Sequence, residues 1–291
     1  MLERSIPLQD QALRQKVIQY VLERKCLSGG FCFYKLEEPN GSDTWFALCI
    51  LNLLHYDFQD EPTVKYLKAM QRPNGSYYSI YTAYYSIKSL SLLGEIPDID
   101  PRIYLVKNLG QYSFDVRRLP AEVVSLFRRT SYLVDLYKTT GVDDENNIQK
   151  HIIEFILNFQ NEDGGFGNKR STLHETSSAL SMLDRFGYAI RELETESFIR
   201  SCEMPFFGFT DIPHTSLSFL EYIHAGVYAS YLLRRKPAYA DQCELFIRYC
   251  QNKNGGFSRT MQGGIATLEN TYNGIHALIL LSALTATVPG I

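Results

Sequence analysis

The 291-residue chain is long for one ordinary core and fits one large domain or two. Its 45% apolar and 21% charged content is globular and excludes a disordered chain. Twenty-nine basic against 32 acidic residues leave a net charge of −3, so there is no basic field to hold nucleic acid. No window reaches the roughly 18 consecutive apolar residues of a membrane span, and the opening MLERSIPLQDQALRQ lacks the apolar run of a secretory signal. The expectation is a cytoplasmic protein with no membrane span and no nucleic-acid partner. Cys26, Cys32, Cys49, Cys202, Cys243 and Cys250 include no C-x-x-C pair and read as reduced core thiols. Twenty Tyr and 17 Phe, with one Trp, can line a large apolar cavity as well as fill a core.

In chain order, residues 11–24 read as an amphipathic helix with its charges on one face. The turn Gly29-Gly30-Phe31 follows, and then an apolar stretch over 43–54. Residues 61–71 are amphipathic again and lead through QRPNGSY (71–77) into an apolar stretch over 82–93. A fainter turn, GQYSF (110–114), precedes apolar 121–137. Amphipathic 146–160 ends in QNEDGGF (160–166) and leads to 175–186. Phe207-Gly208-Phe209 precedes 220–233, and amphipathic 240–251 ends in QNKNGGF (251–257) ahead of 270–284. The turn aromatics Phe31, Tyr77, Phe114, Phe166, Phe209 and Phe257 recur about every 45 residues, the period of a helical pair. A Gln closing a helix, then Asn or Asp and Gly, is a helix stop and a turn needing positive φ. One polar and one buried helix per repeat, six times, predicts an all-α fold: an (α/α)6 toroid forming one domain over 1–291. The polar helices make the outer ring; the buried ones enclose a central cavity.

The pattern Gln-x-x-x-Gly-Gly-Phe followed by a threonine-led apolar helix resembles the repeat of protein prenyltransferase β subunits and of squalene or diterpene cyclases. The Gly-Gly-Phe form at 164–166 and 255–257 is closer to the prenyltransferase side. The resemblance covers nearly the whole chain. It implies the toroid and an isoprenoid ligand; the reaction has to be argued from the site. The Cys-Gly-Glu-Gln of thioester toroids and the Cys-His dipeptide of lanthipeptide cyclases are both missing.

Aligning the inner helices places Thr44, Thr82, Thr130, Thr176, Gly226 and Thr271 in one register. Two residues earlier stand Ser42, Ile80, Arg128, His174, His224 and Glu269. One residue earlier stand Asp43, Tyr81, Arg129, Glu175, Ala225 and Asn270. These rows belong near the N-termini of the inner helices, where Asp43, Thr44 and Thr176 read as caps or first-turn groups. Arginines at 128 and 129 oppose the helix dipole and call for another explanation. A diphosphate would supply it, held by Arg128 and Arg129 with Tyr81, Tyr222 and Tyr272. Arg117, Arg118, Lys169 and Arg170 are loop cations that could join. Trp45, Phe46, Tyr84, Tyr85, Tyr132 and Tyr228 are candidates for an aromatic wall that stabilises a carbocation, or for plain filling of the barrel.

The resemblance implies zinc bound by Asp, Cys and His from the last two inner helices in the prenyltransferases. The matching places hold His224, Gly226 and Asn270, so the usual set is missing and zinc is disfavoured. His174, His224 and Glu269, in one register on three successive inner helices, are the alternative metal set; otherwise they serve as acid–base groups. In class II cyclases the middle acid of Asp-x-Asp-Asp-Thr-Ala protonates an alkene, and its place here is Ser42. Glu175 or Glu269 could substitute if buried with a raised pKa. Asp98 and Asp100 read as a turn ahead of Pro101. The first functional expectation is prenyl transfer from a prenyl diphosphate, with His174, Glu175, His224 and Glu269 catalytic. The alternatives are a class II-like cyclase with an atypical acid, and a scaffold that binds a lipid or protein partner.

Overall fold

The structure is a computed structural model and describes residues 10–34, 38–110, 127–142 and 147–286. Residues 111–114 of the faint turn, the loop arginines Arg117 and Arg118, and the start of the expected helix at 121–137 lie outside the described residues. Twelve helices are described: α1 (Gln11–Leu22), α2 (Gly41–Leu53), α3 (Glu61–Lys68), α4 (Ile80–Leu92), α5 (Arg102–Gly110), α6 (Arg128–Thr140), α7 (Ile148–Leu157), α8 (Leu173–Arg185), α9 (Glu196–Ser201), α10 (Leu220–Leu232), α11 (Ala240–Tyr249) and α12 (Leu268–Ala286). The described strands, β1 (Glu203–Met204) and β2 (Gly208–Phe209), form one small antiparallel hairpin.

The even-numbered helices close a ring. α2 packs on α4, α4 on α6, α6 on α8, α8 on α10, α10 on α12, and α12 returns to α2. Each odd-numbered helix backs the even one that follows it. This is the (α/α)6 toroid that the repeat predicts.

The repeat motif holds its turns by two recurring bonds, which occur together at residues 160–166 and 251–257. In three repeats the helix-closing Gln donates Nε2 to a glycine carbonyl four residues on: Gln71 to Gly75, Gln160 to Gly164 and Gln251 to Gly255. That local closure ends the outer helices a few residues short of the glutamine. The turn's aromatic N–H is then caught by the next inner helix. Thr44, Thr176 and Thr271 accept from the backbones of Phe31, Phe166 and Phe257 at 3.0, 2.9 and 3.0 Å. Thr44 and Thr176 are therefore turn locks, a correction to their reading as caps. The caps lie earlier, at Asn40, Ser79, Thr172 and Thr267, so these inner helices start about two residues ahead of the apolar pattern. Asp43, Glu175 and Glu269 are first-turn acids, as their dipole position requires.

Closure of the ring has its own residues. Gly255, at φ +91°, lies against the Lys16 backbone of α1, where any Cβ would collide. Tyr20 is fully buried and donates its hydroxyl to Ala266 O at 2.9 Å, tying the first repeat to the last.

Candidate functional site

The N-terminal ends of the inner helices share one rim. The carboxyl of Glu269 on α12 is influenced by Arg128 on α6, Glu221 on α10, Asp43 on α2 and His174 on α8, so these groups lie near one another at this end of the ring. Glu269 is solvent-accessible yet crowded by protein, as expected for a group facing an internal, water-reachable space. Burial raises its pKa above the ordinary value; Arg128 opposes the rise, while Glu221 and Asp43 add to it.

Arg128 belongs to this group. Its guanidinium lies 6.0 Å from the Tyr81 ring centroid, and the hydroxyls of Tyr132 and Tyr85 stabilise its charge. Arg129 follows a turn of 100° later on the same helix and lies near Tyr104 of α5, on the outer side. The arginine pair singled out as a diphosphate clamp is thus split between two faces of α6. Three carboxylates, Asp43, Glu221 and Glu269, share the rim with Arg128. Glu221 is paired with Arg259 at 2.5 Å. His174 is exposed, and its backbone N–H donates to Asp211 Oδ1 at 2.9 Å. Tyr222 is half-buried beside Phe219, close to Asp211 and Glu221.

One turn below the rim lies an aromatic layer. Tyr84 stacks on Tyr132 with centroids 4.2 Å apart, Trp45 meets Tyr84 edge-on at 5.5 Å, and Phe46 lies 5.6 Å from Tyr272. Tyr85 and Tyr132 share a hydroxyl contact of 3.1 Å, and Ser181 and Tyr228 one of 3.0 Å. Trp45, Tyr85, Tyr132, Tyr228 and Tyr272 keep partial exposure in the middle of the ring, which marks open space along its axis.

Within this layer His224 Nε2 lies 2.9 Å from His276 Nδ1. Tyr228 and Tyr272 flank the pair with centroids between 5.3 and 6.0 Å away. Burial holds His224 well below the ordinary imidazole pKa and brings His276 down to about 4. His276 escaped the sequence reading, although it completes an i, i+3, i+7 line with Glu269 and Tyr272 on one face of α12. Lys88, Asp135 and Arg185 escaped as well. For Lys88 the signal is a charge inside an otherwise apolar helix, whereas Asp135 and Arg185 stand in helices that carry other charges.

The zinc expected of the prenyltransferases does not fit these residues. Gly226 sits under the Phe209 ring, where even a Cβ would collide, so no ligand-bearing side chain can stand there. Five cysteines are held as thiols by burial, and all six are buried. Among the described residues no three His, Cys, Asp or Glu side chains are grouped to hold a metal, so His174, His224 and Glu269 do not converge as a ligand set. Asp98 and Asp100 lie in the loop ahead of α5, where Asp98 pairs with Lys68 and Asp100 with Arg102. No helix among the described residues is long and apolar enough to cross a membrane.

Two solved structures share this architecture. Candida albicans protein geranylgeranyltransferase-I, complexed with GGPP, superposes with a TM-score of 0.69 at 15% identity over 92% of this chain and 91% of its own. A variant of the type II terpene cyclase MstE from Scytonema, in complex with geranylgeranyl dihydroxybenzoate as substrate, gives 0.54 at 12% identity over 95% and 97%. At such identities the likeness establishes the fold. No curated protein matches the sequence. The prenyltransferase alpha-alpha toroid domain matches residues 1–86 and 129–289, and with the closed ring and its repeated Gln–Gly–Phe–Thr locks the chain belongs to that family.

Proposed function

We propose that the chain binds an isoprenoid along the axis of the ring and cyclises it by a proton-initiated, class II-like reaction with Glu269 as the acid. The observation that carries this reading is the Glu269 carboxyl. It stands at the rim, one turn from the aromatic layer and two residues before its helix's threonine, and burial raises its pKa. A class II acid holds the same register in its own repeat, where this chain has Ser42. A carboxyl biased toward its neutral form can hand a proton to an alkene.

In the proposed reaction the π pair of a terminal alkene takes the Glu269 proton and becomes a C–H bond. The cation left behind is attacked by the next alkene and a ring closes. The faces of Trp45, Tyr84, Tyr132 and Tyr272 stabilise the moving charge. A second proton leaves the carbon beside the last cation, and its electron pair becomes a new alkene. The neutral His224–His276 pair accepts that proton. In either tautomer one ring nitrogen outside their mutual hydrogen bond is unprotonated. The net change is isomerisation. Water at the rim returns the proton to Glu269, and Arg128 steadies the carboxylate between turnovers.

Arg128 also favours a second reading, the prenyl transfer expected from the sequence, in which it would hold a donor's diphosphate with Tyr81. The outward turn of Arg129 and the rim carboxylates weigh against it. The test offers farnesol, geranylgeraniol and their diphosphates to the purified protein and analyses products by gas chromatography–mass spectrometry. Cyclic isomers of unchanged mass are expected, and Glu269→Gln should lower turnover by about a thousandfold with binding kept. Pyrophosphate release coupled to prenylation of an acceptor, or full turnover by Glu269→Gln, would sink the reading. Trp45, the chain's one tryptophan, reports binding by its fluorescence.

A further inference from the structure

The C-terminal halves of the inner helices carry a second set of charges. Lys88 on α4, Asp135 on α6 and Arg185 on α8 come from successive members of the ring. Asp135 is engaged twice: Oδ1 lies 2.6 Å from Arg185 Nη1, and Oδ2 accepts the Tyr84 hydroxyl at 3.2 Å. Lys88 Nζ donates to Thr139 Oγ1 at 3.0 Å and lies 5.9 Å from the Trp45 ring. Among the described residues no carboxylate stands within ion-pair distance of Lys88. Two cations therefore share one carboxylate.

These charges face the axis. Arg185 is influenced by Asp135 on α6, Tyr84 on α4, Tyr228 on α10 and Tyr272 on α12, which surround it from several sides of the ring. Its side chain nonetheless keeps 39% exposure, so the space beside it is open to a small molecule. Lys88 feels Asp135 and Cys49, which favour its ammonium, and Arg185, which opposes it; burial outweighs them and lowers its pKa. A desolvated cation of this kind is stabilised most by an incoming anion.

We propose that this end of the ring is a binding site for an anionic group, a carboxylate or a phosphate monoester, held between Lys88 and Arg185 at the polar end of an isoprenoid. The proposal rests on the isoprenoid reading of the channel and adds the substrate's orientation. The alkene tail would lie at Glu269 and the acidic end at Lys88. In the shared register Glu269 stands two residues before the threonine position and Lys88 six after it, an axial offset of about 12 Å at 1.5 Å per residue. Both cations thus lie beyond the aromatic layer from the acid.

The test compares sodium decanoate, decyl phosphate and decanol, followed by Trp45 fluorescence and thermal shift at neutral pH. At least tenfold tighter binding of one or both anions over decanol is expected, and their ranking tells carboxylate from phosphate. Lys88→Met should erase that preference. The unliganded Lys88→Met protein should be as heat-stable as the parent or more so, because the substitution removes an uncompensated cation. No anion preference in the parent would overturn the proposal. So would a preference that survives Lys88→Met, or one lost only in Arg128→Ala, which would put the anion at the rim. A melting temperature more than about 3 °C lower in Lys88→Met would overturn it too, since the cation would then be already compensated. These probes carry no alkene. Anion preference without isoprenoid turnover would keep this site and sink the catalytic reading, and turnover without anion preference would do the reverse.

Discussion

Replacing Thr176 with Val tests the lock that repeats around the ring. Thr176 is fully buried; its hydroxyl accepts the Phe166 N–H at 2.9 Å and donates to Thr172 O at 2.7 Å. Val keeps the shape and removes the acceptor. Thr172 O still receives the Thr176 N–H at 3.0 Å, so that carbonyl stays paired. The Phe166 N–H loses its partner in a dry site, which costs about 1–3 kcal/mol. For a chain of this size that corresponds to a melting temperature roughly 2–8 °C lower. Thr176→Ser keeps the hydroxyl, loses one methyl, and should cost less than Thr176→Val. Circular dichroism melts give the ranking, and hydrogen exchange at the Phe166 amide should quicken in the Val variant alone. A Val variant as stable as the parent, or more stable than the Ser variant, would refute the lock.

Gly226→Ala should destabilise the protein although Ala favours a helix by about 1 kcal/mol, because the Cβ collides with the buried Phe209 ring; a melting temperature equal to the parent's would contradict this. Gly255→Ala should loosen α1 from the last repeat, read as faster limited proteolysis within α1, through its positive φ and the collision with Lys16 O. Stability should fall as pH drops from about 6.5 toward about 4, because unfolded His276 takes a proton in that window while folded His276 does not. The loss is on the order of 3 kcal/mol, and a His276→Asn variant whose denaturant midpoint keeps the same pH slope would refute that cause. Turnover should fall as pH rises through the raised Glu269 pKa and the acid form is lost; a rate that keeps rising across that range would exclude Glu269 as the donor.

The ring was legible because its signal repeats. Gln, Gly, Phe and Thr recur in the same order, and in three repeats each the Gln–Gly and Phe–Thr pairs are hydrogen-bonded. Two repeats depart from the threonine lock: Thr82 Oγ1 meets Ser79 Oγ at 3.0 Å instead, and at Gly226 the Phe209 ring fills the space. The rim was legible as a row in one respect: Glu269, Arg128, Asp43 and His174 all stand in the first turns of their helices. Which way each side chain points was not. Arg128 and Arg129 are neighbours in sequence, but a helix sends them 100° apart, one toward Tyr81 of α4 and the other toward Tyr104 of α5. His276 and the Lys88–Asp135–Arg185 set were hidden for another reason. His276 lies among the buried apolar residues of α12, the charged set lies in the C-terminal halves of α4, α6 and α8, and their partners are brought together only by the packing of successive inner helices.

Running the reaction in D₂O tests the central claim most directly. If Glu269 starts the chemistry by protonating an alkene, the exchangeable carboxyl carries deuterium, and the cyclic product gains one deuterium in a stable C–D bond. Mass spectrometry should show a product one mass unit heavier than in H₂O, with no pyrophosphate released. A product without deuterium, or a prenylated acceptor with pyrophosphate in equal amount, would contradict the account.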